Sequence, residues 1–193
     1  MSLFTKKAIH EVFLNLLFKK SFDKITVKDI VEECGINRNT FYYYYKDIYD
    51  LLEDVLLTET KKVLEDQQSS HTCYEEFLRI AAFITSYKTS ISHIFYSKSR
   101  DVFVSYLYDI SEIILQNYID HLKVSINISE QNKKFVCDFY RFSLVGMIIN
   151  WIKNGMEEDS LIFLKKMSDI FENTVEIALQ FNQTENKNQT ISE

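Results

Sequence analysis

Between Asn37 and Lys46 the chain reads NRNTFYYYYK, which gathers Arg38, Asn39, Thr40, Tyr42, Tyr43 and Lys46 in one short stretch. The chemistry open to these side chains is that of a nucleic-acid contact. Tyrosine and threonine hydroxyls and a lysine ammonium bond phosphate oxygens. Arginine pairs with guanine, and asparagine with adenine, in the major groove. The five consecutive aromatics from Phe41 to Tyr45 raise a separate question of burial. In a helix stepped at about 100° per residue, Tyr45 lies beside Phe41, and Asn39 and Tyr43 fall on the opposite side. Thr40 and Tyr42 flank that outer face, and Tyr44 sits nearer the buried edge. Phe41 and Tyr45 are therefore expected to seal a small core, with the others facing outward. Two readings compete with a contact surface. The run could be a hydrophobic staple between helices, or a strand burying alternate rings; Gly35 and the helical spacing on both sides oppose the strand.

Such a helix must be held by neighbours. From Phe4 to Lys20 apolar residues fall at Ile9, Val12, Phe13, Leu16 and Leu17, the spacing of an amphipathic helix. The stretch SFDKIT breaks it. Thr26 is placed to N-cap a second helix, with Asp29 complementing the dipole in its first turn. Val27, Ile30, Val31 and Cys34 line one face of that helix, and Gly35 ends it. Ile36 plugs the turn. Asn37 is the expected N-cap of a third helix, whose N-terminus adds a site for phosphate. Two short helices joined through a glycine turn make a helix-turn-helix pattern. A fourth helix is expected from near Asp47 towards Gln68. Further helices are expected over 73–89, 101–122, 130–153 with Ser129 as N-cap, and 160–181. Gly155 is the expected stop between the last two, and the piece between 89 and 101 has no clear periodicity.

Composition points the same way. With 3 Gly and no Pro the chain lacks the turn residues that sandwiches and barrels need, which favours an all-α fold. No apolar run approaches the roughly 18 residues that span a membrane; the run from Phe142 to Ile149 is interrupted by Ser143 and Gly146. The N-terminus has no signal-peptide pattern, so a cytoplasmic protein without a membrane partner is expected. Cys34, Cys73 and Cys137 are too few and too widely spaced for a disulfide framework or zinc site. They read as small buried hydrophobes, with redox sensing as the alternative. His93 and His121 are isolated and read as structural. No metal, cofactor or enzymatic activity is expected, since paired ligands, a nucleophile motif and a phosphate-binding glycine loop are all missing. The net charge of −6 conceals an asymmetry. Residues 1–46 carry eight basic against five acidic side chains, and the remainder 14 against 23. A polyanion partner is expected for the N-terminal segment only.

The stretch ITVKDIVEECGINRNTFYYYYKDIYDLLEDVL, with the opening TKKAIHEVFLNLLFKKSFDKIT, closely resembles the signature of the TetR/AcrR family of bacterial transcriptional regulators. The matching features are the T-V-x-D-I start of the second helix, the glycine turn and the T-F-Y core of the third. The form FYYYYKDIYDLL also resembles the subgroup containing dihydroxyacetone-kinase regulators. The resemblance implies an all-helical homodimer of about nine helices per chain. A three-helix DNA-binding head would occupy residues 1–50, a ligand-binding and dimerisation body 51–182, and a polar tail 183–193. It implies that Thr26 and Lys28 touch phosphates and that Arg38, Asn39, Thr40 and Tyr43 face the groove. Tyr42, Tyr44 and Lys46 would lie towards the DNA backbone. Two positions depart from the family pattern: Tyr44 stands where histidine is frequent, and Ile48 where lysine is frequent. The anchor at Ile48 is then lost or shifted to Lys46.

In the body, FYRFSLVGMIINWIKNGM resembles the family's penultimate helix. Leu161, Leu164, Ser168, Phe171, Val175 and Ala178 recur every three or four residues as a packing seam, and Gly146 and Ala178 would allow close helix approach. The resemblance implies that these last two helices pair with their copies; an intrachain core stripe is the alternative. Phe83, Tyr87, Phe95, Phe103, Tyr106, Tyr140 and Phe142 could line a pocket for a small-molecule effector or be core. Arg141 could meet an anionic ligand or form a salt bridge. The expected function is a dimeric regulator of a pseudo-palindromic double-stranded operator, usually a ligand-responsive repressor, with activation as the alternative. A helical small-molecule-binding protein and a helical adaptor using the aromatic patch on a protein partner are the remaining readings.

Overall fold

The local signals in the N-terminal third are strong, and each helix there ends where its chemistry requires. A computed structural model of the chain describes residues 3–65, 82, 84–122 and 128–181. Helix α1 (Leu3–Lys19) is followed by a 3-10 turn (Phe22–Lys24), α2 (Val27–Cys34), α3 (Arg38–Tyr44) and α4 (Ile48–Glu65). Then come α5 (Lys88–Phe95), α6 (Arg100–His121), α7 (Glu130–Lys153) and α8 (Ser160–Phe181). The fold is all-α, without a strand among the described residues. Thr26 and Asp29 form a full capping box on α2, and Gly35 closes that helix at φ 67°. Asn37 caps α3, and Ser129 caps α7 through the Asn132 N–H.

The described residues form two compact units, one of residues up to Tyr106 and one from Leu107 onward. In the first, Ile9, Phe13 and Leu17 of α1 meet Ile30 of α2, Phe41 of α3 and Leu51, Leu52 and Val55 of α4 in a closed core. Phe13 packs edge-on against Phe22, and Phe22 against Tyr49. Helix α5 joins this core from further along the chain. Its Ile91, Ile94 and Phe95 are buried. His93 Nδ1 donates to the Leu17 carbonyl at 2.6 Å, and the Lys98 N–H donates to the Asp23 carboxylate. Most of the expected helix over 73–89 lies outside the described residues; its described part is helical up to a turn at Tyr87, and α5 then runs into the piece left unassigned. The chain turns at Tyr87, and KTSISHIF forms a helix because its three apolar residues, at helical spacing, find α1 to bury against.

In the second unit α7 and α8 pack together with the end of α6. Trp151 stacks on Phe163 at 5.1 Å and donates its indole N–H to the Glu158 carbonyl. Gly155 and Met156 both take positive φ and return N–H bonds to Ile152 and Trp151, ending α7 as a Schellman-type cap. Leu164, Ser168, Phe171 and Val175 are buried inside the chain. That part of the expected seam is therefore an intrachain stripe. A second apolar face looks out: Phe135, Phe139 and Met147 on α7, and Ile162, Ile170 and Ile177 on α8. Gly146 belongs with this outer face, since a Cβ there would meet nothing within 4 Å. Because α7 is apolar on both faces, it alone among the described helices is long and apolar enough to cross a membrane. Its mean hydropathy is 1.3 over an 18-residue window, although its longest apolar runs are interrupted. Its inner face, including Val145, Ile148 and Ile152, is core.

Candidate nucleic-acid interface

Helices α2 and α3 and the turn between them place most of the sequence-predicted contact residues on the surface. At the start of α2 the Asp29 carboxylate accepts from the Thr26 N–H at 2.8 Å and from its hydroxyl at 2.9 Å. The Thr26 Oγ1 in turn accepts the Asp29 N–H. Lys20 closes the group on Asp29 at 2.9 Å. These bonds hold the Asp29 carboxyl below the ordinary range, with the Lys20 bond as the largest influence. Thr26 stays exposed, with its hydroxyl proton committed to Asp29. Lys28 is exposed and lies 3.7 Å from Glu32.

Gly35 permits the left-handed turn, and the Ile36 N–H bonds back to the Val31 carbonyl at 3.0 Å. Asn37 Oδ1 accepts the Thr40 N–H at 2.8 Å and the Thr40 hydroxyl at 3.1 Å. Helix α3 then divides as its angular positions dictate. Phe41 is fully buried and Tyr45 nearly so, whereas Tyr43 is 77% and Tyr42 54% exposed. Arg38, Asn39 and Lys46 are exposed beside them. Lys19, Lys20 and Lys28 have carboxylate partners, but among the described residues none pairs with Arg38 or Lys46. Tyr44 is different: its hydroxyl oxygen is buried and without a hydrogen-bond partner, so it is not presented to solvent. Ile48 is half-buried at the start of α4, where Asp47 Oδ1 caps the Asp50 N–H and Asp50 accepts the Lys46 N–H.

Sequence reasoning missed the polar group beneath this surface. His10 on α1 and Asp54 on α4 meet the Tyr45 hydroxyl, each pair at 2.8 Å, with Lys6 on the same carboxylate. The signal that could have found it is that His10 and Asp54 each sit beside buried stripe positions, next to Ile9 and Val55.

The residues considered for an effector pocket are distributed. Phe83 lies outside the described residues. In the first unit the Tyr87 hydroxyl donates to Glu59 at 3.0 Å, and burial, then that carboxylate, pushes its pKa up to about 12. Tyr106 stacks on buried Phe103, which touches Phe95 in turn, and burial raises the Tyr106 phenol further. In the second unit Tyr140 bonds the Thr174 hydroxyl at 2.7 Å and packs edge-on against Phe171. Arg141 is ion-paired to Glu112 and Asp138 and lies over the Phe142 ring. The salt-bridge alternative is thus present, with two carboxylates on the guanidinium, while Arg141 Nε is buried without a hydrogen-bond partner. Cys34 is half-buried and Cys137 buried; burial pushes both thiols up, away from the reactive thiolate. Cys73 lies outside the described residues.

Known proteins share both the sequence pattern and the fold. Residues 9–55 match the family model of bacterial regulatory proteins, tetR family, and residues 71–173 match that of a transcriptional regulator C-terminal region. The HTH-type dhaKLM operon transcriptional activator DhaS of Lactococcus lactis is 26% identical over 97 residues, covering 50% of this chain and 49% of that protein. The match thus spans about half the length of that curated relative. Among solved structures, a dihydroxyacetone kinase operon activator DhaS superposes with a TM-score of 0.74 at 20% identity, over 91% of this chain and 98% of that one. A TetR transcriptional regulator from Streptococcus agalactiae gives a TM-score of 0.53 at 20% identity, over 85% and 93% of the two chains. NalD, the secondary repressor of the MexAB-OprM efflux pump in Pseudomonas aeruginosa, gives 0.53 at 13% identity, over 86% and 96%. At these identities the structural likeness speaks for the fold.

Proposed function

The chain belongs to the TetR family of bacterial transcriptional regulators and is a DNA-binding regulator, and from that premise we propose that it acts as an effector-responsive homodimer on a pseudo-palindromic operator. The observation that carries this reading is the division of α3: Phe41 and Tyr45 are spent on the core, which leaves Arg38, Asn39, Tyr42 and Tyr43 as an outward face. Arg38, Asn39, Thr40 and Tyr43 read the groove. Thr26, Lys28, Tyr42 and Lys46 hold the phosphates, and the first turn of α3 at Asn37 faces the DNA backbone. Tyr44 supports its neighbours by packing. The outer apolar face of α7 and α8 supports pairing with a second copy. Such a pair would set two α3 helices about 34–36 Å apart, one turn of DNA. A small molecule held in the body, among residues such as Tyr87, Phe103 and Tyr106, changes operator affinity only if it binds the two states unequally. A chromosomal DNA partner places the protein in the cytoplasm.

The family's frequent output is repression. The name of the Lactococcus relative, an operon activator, favours activation as a second reading; a reporter gene behind the bound site distinguishes them by the sign of its change. The DNA reading is tested with a duplex enriched from a random pool by the wild-type protein. Affinity should fall steeply and log-linearly with salt. Arg38→Ala and Tyr43→Ala should each weaken binding by about 1–3 kcal/mol with unchanged thermal melting. A flat salt response, or wild-type affinity in both folded variants, refutes this assignment.

A further inference from the structure

One carboxylate in the N-terminal unit serves three helices. Asp54 on α4 accepts from Lys6 Nζ at 2.9 Å and from His10 Nε2 at 2.8 Å, both on α1. It also accepts from Tyr45 Oη, at the C-cap of α3, at 2.8 Å. An ionised carboxylate has no proton to give. Tyr45 must therefore donate to Asp54, and His10 must carry its hydrogen on Nε2, where it is shared between Asp54 and the Tyr45 oxygen 2.8 Å away. The His10 side chain is only 9% exposed. Burial lowers the His10 pKa and raises that of Tyr45, so both stay neutral at pH 7. Burial also pushes the Asp54 carboxyl up, but the bonds from Lys6, Tyr45 and His10 outweigh it and hold the group ionised.

This arrangement bears on recognition because α3 is short and its other anchor is apolar. Phe41 fixes how deep the helix sits, but hydrophobic contact is non-directional and leaves rotation about the helix axis soft. A hydrogen bond to a charged acceptor is directional and strong. Tyr45 follows the outward-facing Tyr43 by two residues, so whatever fixes Tyr45 fixes the angle at which Tyr43 and Arg38 are presented. We propose that Asp54 is a positioning residue for operator recognition. By clasping Tyr45 against His10 and Lys6, it sets the rotation of α3 and so the discrimination between base sequences, with little effect on general affinity for DNA. Phosphate contacts tolerate a small rotation; base-edge bonds do not. This inference rests on the reading that α3 enters the groove.

The test measures affinity for two duplexes of equal length, one enriched from a randomised pool by the wild-type protein and one of random sequence. Binding is read at a temperature where circular dichroism shows each variant folded. Tyr45→Phe and Asp54→Asn should lower the enriched-to-random affinity ratio by about tenfold or more, with random-duplex affinity kept within about twofold. His10→Gln, whose amide Nε2 still donates, should keep the ratio, and His10→Leu should lose it. Tyr45→Phe removes one oxygen and keeps the ring, so the inference stands or falls on it where Asp54→Asn does not fold. An unchanged ratio in Tyr45→Phe overturns the inference, as do equal losses on both duplexes, which would mark a purely structural role. A wild-type protein with no affinity for either duplex would instead remove the DNA reading, and this inference with it.

Discussion

His10 holds its imidazole in a nearly closed site, and burial, the largest influence, keeps its pKa below the ordinary 6.5. In the unfolded chain the same ring titrates near its ordinary value. As pH falls below 6.5 the unfolded state takes the proton first, so the folded state loses stability until the folded pKa is passed. Asp54 acts in a lower window. Its folded pKa lies below the ordinary 3.8, so its contribution is present above that value and disappears as pH falls through the folded one. Melting temperature should therefore decline as pH falls below 6.5, and His10→Gln should flatten that part of the curve. An identical slope in the variant would assign the effect to other groups. The inward turn of Phe41 and Tyr45 was legible in the sequence because angular position along one helix decides it. The meeting of His10 with Asp54 was not. Periodicity sorts polar residues to the solvent side, and these two lie 44 positions apart and meet only once α1 and α4 pack. The inward lean of Tyr44 was legible from the same angles, and its buried hydroxyl agrees with them rather than with the backbone contact that the resemblance implied.

The α2-turn-α3 element is specified almost entirely by local chemistry, which is why its caps and its stop were readable in advance. Thr26, Gly35 and Asn37 each act on backbone within a few residues of themselves. Gly35 gives the cleanest test. A Cβ added there would meet nothing within 4 Å, so substitution costs only the left-handed backbone, φ 67°. Gly35→Ala should lower stability by about 1–2 kcal/mol in chemical denaturation with an unchanged slope. A larger loss would mean that the turn itself rearranges. Helix α5 shows where local reading ended. KTSISHIF is short, mixed in polarity and flanked by Tyr87 and Tyr96 without a side-chain cap, so nothing in it outweighs the neighbouring sequence. Its helix is secured by α1, through buried Ile94 and the His93 bond to Leu17.

For the molecule as a whole, α7 and α8 present a choice of faces that their sequences leave open. Both helices are apolar on two sides, and the periodicity of α8 marks a packing seam without saying whether a second copy or the same chain fills it; the inner stripe is filled by the chain itself. The outer stripe is the one available to a partner. Ile170 is 59% exposed and off the intrachain core, so Ile170→Glu should leave the circular dichroism spectrum and intrachain packing intact. It should shift the protein from dimer to monomer in sedimentation and weaken operator binding. A variant that remains dimeric would place the interface elsewhere. The length of α3 carries a last consequence. Its seven residues are fewer than the roughly 12–15 at which an isolated helix persists in water. The outward face of Arg38, Asn39 and Tyr43 therefore exists only while α1, α2 and α4 hold it. During synthesis those residues leave the ribosome before Asp54 and the rest of α4, so a nascent chain carries these side chains but no fixed surface on which to present them until the head is complete.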